Sequence, residues 1–109
     1  MTEVSFADFQ RLEMRVGKIL EAETVPNSKN LIKLQVDFGT EKRQAVAGLL
    51  NYYKPEELVG KKFVFTTNLK PIKLMGLDSN CMILAADDEK GKIVLVQTDK
   101  DIEVGSLIK

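Results

Sequence analysis

A chain of 109 residues, 44% hydrophobic and 29% charged, with 16 basic groups against 16 acidic ones, has the composition of one soluble globular domain. Its length allows a single core burying roughly 60–70% of the unfolded surface; no run nears the ~18 apolar residues of a membrane span, and no charged-then-apolar leader suggests export. With no histidine and one cysteine, Cys81, an internal disulfide, most zinc sites and the Ser-His and Cys-His nucleophile pairs are excluded. The expectation is a cytoplasmic binding module, not an enzyme, with no cofactor and no metal.

Ser5 stands as the N-cap of a short first helix, with Asp8 at its third position and Phe6 and Phe9 on one face, expected to pack into the core. From Met14 the period becomes two: Met14, Val16, Leu20 and Ala22 on one side, Arg15, Glu21 and Glu23 on the other. Gly17 within that strand suggests a bulge or sharp coil, and Pro26-Asn27-Ser28 a turn. The second strand alternates cleanly, Ile32, Leu34, Val36 and Phe38 against Lys33, Gln35 and Asp37. A tight connection at Gly39-Thr40-Glu41 leads into a third strand within 43–50. Pro55, with Glu56 and Glu57 behind it and Gly60 past the end, marks a brief helix. Phe63–Thr67, Met82–Ala86 and Ile93–Gln97 read as strands, the last two joined by a turn at Asp88-Glu89-Lys90-Gly91. Five or six short strands with a helix after the third is the pattern of an OB-fold. The expected class is all-β: an OB-fold barrel of five strands with short helices and C-terminal strand additions, residues 1–109 forming one domain.

The runs Cys81–Ala86 and Ile93–Val96 do not alternate, so both of their faces should be covered, either by the N-terminal helix or by a second chain.

Charge is unevenly spread. From Leu58 to Leu77 there are four lysines (Lys61, Lys62, Lys70, Lys73) and no acid, the footprint of a local polyanion site. Ammonium groups hold phosphates as point charges, Asn reads base edges through its amide, and Met lies against a base face. The plain alternative is a solvated lysine-rich surface. Zero net charge argues for localised, shape-dependent contact over a broad electrostatic coat, which usually needs a pI above about 9.

Asn68-Leu69-Lys70-Pro71-Ile72-Lys73-Leu74-Met75-Gly76-Leu77-Asp78-Ser79, followed closely by Met82-Ile83-Leu84-Ala85-Ala86, resembles the signature of the tRNA-binding domain family. Asp8-Phe9, Leu12 and Arg15-Val16-Gly17-Lys18-Ile19 resemble its opening, D-F-x-x-L-D-x-R-V-G-x-I, with Glu13 in place of the second Asp. Leu31–Gly39, Arg43–Gly48 and Tyr52–Lys61 resemble further blocks in the same order, and Cys81 replaces the usual Gly or Ala. That family includes free-standing dimeric tRNA-binding proteins, modules appended to methionyl-tRNA synthetase, and the related domain of endothelial monocyte-activating polypeptide.

The resemblance implies a non-enzymatic protein that binds tRNA by structure more than sequence. It carries over Asn68, Lys70, Lys73, Ser79 and Met82 as RNA-binding positions, with Lys33 added from the second-strand match. Met82 has a core residue as its alternative, and Ser79 a turn-closing one. The implied partners are tRNA, a second copy of the chain, and a methionyl-tRNA synthetase served in trans. A dimeric peptide-binding chaperone, as in the family's secretion-linked branch, is the other function the resemblance offers; an intact Lys-Pro-x-Lys-Leu-Met-Gly favours the RNA branch.

Overall fold

In the computed structural model, which describes residues 1–109, the two-residue period of β2 (Ile32–Asp37) organises the chain. Ile32, Leu34 and Val36 are completely buried, while Lys33, Gln35 and Asp37 are half-buried on the opposite face. Antiparallel neighbours extend that arrangement: β1 (Met14–Thr24), β3 (Lys42–Ala47), β4 (Lys62–Thr66) and β7 (Met82–Ile83) form one sheet in the order β3-β2-β1-β4-β7. The sheet curls until its ends meet, the Asn80 amide donating to the Gln44 carbonyl at 2.8 Å. The fold is an all-β, OB-like barrel. Thirteen buried residues fill it, with Phe38 and Phe65 in an edge-to-face pair, centroids 5.5 Å apart. Cys81 is one of the thirteen, and burial pushes its thiol pKa up to about 12.

The long strand β1 serves two partners, β4 along its first half and β2 along its second. Its bulge lies between Ile19 and Glu21, not at Gly17. The extra residue, Leu20, is pushed to the surface and the side-chain parity reverses: Ile19 enters the core before the bulge, Ala22 packs against it afterwards. Gly17 is instead a point of close approach. A Cβ there would lie 2.6 Å from Val36 Cγ1, 2.7 Å from Phe38 Cε1 and 3.0 Å from Phe65 Cδ1.

The first helix, α1 (Phe6–Arg11), starts as expected, Ser5 Oγ accepting from the Asp8 amide at 3.1 Å. It buries nothing. Phe6 is 72% exposed and Phe9 39%, stacked on each other at 6.4 Å, so their expected place in the core is corrected. Six residues make fewer than two turns, too little helix to lay an apolar stripe on a barrel already filled. The second helix, α2 (Pro55–Leu58), has Pro55 at its start and sends Leu58 into the core.

The lysine-rich stretch folds into a hairpin that periodicity does not reveal. Strands β5 (Ile72–Leu74) and β6 (Leu77–Ser79) are joined through Met75 and Gly76, both at positive φ (52° and 79°), as in a type I′ turn. Leu74 and Leu77 pack against a small second cluster of Val25, Leu31 and Val46. The expected strand from Met82 to Ala86 divides at Leu84, and β8 (Ala85–Asp87) pairs with β9 (Ile93–Leu95) as a separate ribbon. Ile83 and Leu95 enter the core, but Ala85, Ala86 and Val94 stay exposed; the chain itself does not cover both faces of these runs.

Candidate nucleic-acid interface

Residues 68–79 leave the barrel after β4 and return just before β7, so the stem of this excursion decides where its lysines sit. Arg43 on β3 closes the stem. One guanidinium nitrogen donates to the carbonyls of Thr67, at 2.5 Å, and Asn80, at 3.1 Å, while Nε bonds Glu41 at 3.0 Å. Beside it, Gln44 donates to the Asp78 carbonyl at 2.9 Å. The excursion is thus held against β3 from both ends.

Ser79 is part of that fastening. It is buried; its hydroxyl accepts from the Val46 amide at 3.0 Å and donates to the Cys81 carbonyl at 3.3 Å. The hydroxyl therefore faces the fold, in the turn-closing role that its sequence position also allowed. Asn68 is likewise engaged: its Oδ1 accepts from the Glu13 amide at 2.7 Å, and its Nδ2 donates to the Arg11 carbonyl at 2.6 Å. This amide ties the start of the excursion to the junction of α1 and β1. Glu13 is held there too. Hydrogen bonds from Arg15 first and Thr67 second keep its carboxyl below the usual range.

The lysines are placed differently from one another. Lys70 is exposed and takes part in none of the ion pairs. Lys73 stands opposite Asp78 on the outer face of the hairpin, 3.6 Å from its carboxylate, with both side chains largely in solvent. Screening makes such a pair weak, so the ammonium is easily diverted to a ligand. Lys33 lies on the outer face of β2, 3.7 Å from Glu23. Its cross-strand neighbour on β3 is Val46, whose amide holds Ser79. The hairpin is thereby fixed alongside the strand next to Lys33. Met82 is 48% exposed on β7, opposite Thr66, and is not a core residue.

Lys61 and Lys62 do not join this group. They sit at the opposite end of β4, whose four residue steps alone span about 13 Å. The acid-free segment is continuous in sequence and divided in space. Arg43 and Gln44, which build the stem, escape a reading by charge because they stand in β3, outside the acid-free segment and next to Glu41; their one signal is membership of the Arg43–Gly48 block.

The groove between α1 and the C-terminus has a different character. Phe6, Phe9, Leu12, Leu107 and Ile108 line an open cavity of about 440 Å³, with Asn68 and Arg15 at its margin.

A family model described as "Putative tRNA binding domain" matches residues 14–107. The methionine–tRNA ligase of Methanocaldococcus jannaschii is 50% identical over 109 residues, which is 100% of this chain and 17% of that protein. For the Thermotoga maritima ligase the identity is 48% over 105 residues, covering 96% and 16%. The chain therefore spans less than a fifth of the length of these relatives. Among solved structures, a MetRS related protein from Pyrococcus horikoshii superposes with a TM-score of 0.95 at 40% identity, over 100% of both chains. The chaperone CsaA from Bacillus anthracis gives 0.89 at 31% identity, over 99% of this chain and 100% of that one. The matched span covers most of the chain, and this chain belongs to the tRNA-binding domain family.

Proposed function

We propose that this protein is a non-catalytic tRNA-binding module that reads the shape and phosphate path of its ligand. The observation that carries this is the 68–79 excursion, fastened at its stem by Arg43 and Ser79 with Lys70 and Lys73 projecting into solvent. Lys70, Lys73 and Lys33 supply phosphate contacts, and exposed Met82 an apolar surface for a base or ribose. Asn68 and Ser79 hold the platform in place. The relation to methionine–tRNA ligases supports a role in trans for a methionyl-tRNA synthetase in the cytoplasm, where a tethered weak binder raises effective concentration without touching the chemistry. We also propose a homodimer: Phe6, Leu12 and Leu107 expose 72%, 41% and 47% of their surface around the α1 groove, and a C2 partner would cover it and bring two basic hairpins to one tRNA. Sedimentation equilibrium giving only the 12.2 kDa monomer would remove that arrangement.

The α1 groove also favours a second reading, a peptide-binding chaperone, which the likeness to CsaA supports. Competition decides between them. Unfractionated tRNA should displace a labelled tRNA far better than an unstructured RNA of equal length does, and an apolar peptide should not displace it. Displacement by the peptide with no preference for folded RNA would favour the chaperone.

A further inference from the structure

At the other end of β4 from the hairpin, Lys18, Lys61, Lys62 and Lys100 line an open cleft with Asp99 and Asp101, and none of its lining residues is hydrophobic. Lys18 and Lys62 stand directly opposite each other in the β1–β4 ladder, a like-charge pairing that destabilises a sheet unless something compensates it. Lys62 is compensated: its ammonium donates to Asp101 Oδ1 at 2.9 Å and to the Ile102 carbonyl at 2.7 Å. Lys18, Lys61 and Lys100 take part in no ion pair. Four ammonium groups thus share two carboxylates, and Asp101 is 88% exposed, a partner that a stronger anion displaces readily.

We propose that this cleft is a second phosphate-binding site, which takes backbone phosphates of the same RNA that the hairpin holds; it rests on the tRNA-binding reading. The length of β4 separates it from Lys70 and Lys73, a distance that a polyanion bridges and a single phosphate does not. Each phosphate entering the cleft replaces Asp101 at Lys62 and meets Lys18, Lys61 and Lys100, so binding relieves the like-charge pairing that folding leaves.

Salt titration of tRNA binding tests this with two variants of opposite sign. Lys61→Ala/Lys100→Ala should make the slope of log K against log salt shallower by about 0.7–0.9 for each phosphate that is no longer neutralised. Asp101→Asn, which frees Lys62, should tighten binding and steepen the slope. A role confined to folding would not produce that gain. If the parent binds tRNA and both variants keep its slope, the cleft is no phosphate site and the hairpin alone carries the RNA. If the parent binds no tRNA, the functional proposal falls and the cleft falls with it. Loss of Lys61 and Lys100 reactivity toward an amine-acylating reagent on addition of tRNA would support the proposal independently of any substitution; unchanged reactivity would oppose it.

Discussion

Asn68 and Ser79 show how the polar side chains of the 68–79 excursion can be taken up by the fold itself. Asn68 spends both ends of its amide on the α1–β1 junction, and Ser79 spends its hydroxyl on Val46 and Cys81. A hydrogen bond of this kind contributes about 0.5–1.5 kcal/mol net, and Asn68 makes two of them at the exposed surface. Asn68→Ala is therefore expected to lower thermal stability by about 1–2 kcal/mol and to weaken tRNA binding through a loosened excursion. Thermal melts with a tRNA titration check this; weakened binding at an unchanged melting temperature would instead make Asn68 a direct contact. Sequence alone does not separate the two roles, since the same donor and acceptor serve a base edge or a peptide group equally well. The exposure of Lys70 and Lys73 is legible in the sequence because the segment 58–77 that holds them carries no acid.

Among the elements, the β5–β6 hairpin depends on a residue outside it. Arg43 bonds the two carbonyls that flank the excursion and a carboxylate besides, an arrangement suited to a planar guanidinium with several fixed donors. Arg43→Lys keeps the charge and loses the fork. We expect it to reduce tRNA affinity and to speed amide hydrogen exchange in residues 68–80, while exchange in β2 stays slow. Equal affinity and exchange in the variant would show that packing of Leu74 and Leu77 alone holds the hairpin. The strands differ in how much of them the sequence reveals. In β2 one face is wholly core, so alternation and burial coincide. In β1 the bulge at Leu20 reverses parity midway, and a single period drawn through it assigns Leu20 inward. The hairpin strands have three residues each, and their turn is Met75-Gly76 rather than Asn-Gly, so neither period nor turn chemistry marks them. Phe6 and Phe9 carry a core-like signal, but the barrel interior is already filled and they remain outside it.

At the scale of the whole molecule, a neutral chain separates its basic and apolar features by surface. Basic side chains of the hairpin occupy one region, the apolar α1 groove another, and the lysine cleft beyond β4 a third. Zero net charge keeps non-specific attraction low, so on the proposed reading affinity comes from several lysines meeting phosphates at once. The claim that Lys70 and Lys73 hold phosphates in this way is tested most directly by measuring tRNA affinity across a range of salt for the parent and for Lys70→Ala/Lys73→Ala. The expected result is weaker binding to all tRNAs alike, with a slope shallower by about 0.7–0.9 for each phosphate left without its lysine. A double variant with the parent's affinity and slope would contradict the account and leave the two lysines as an ordinary solvated surface.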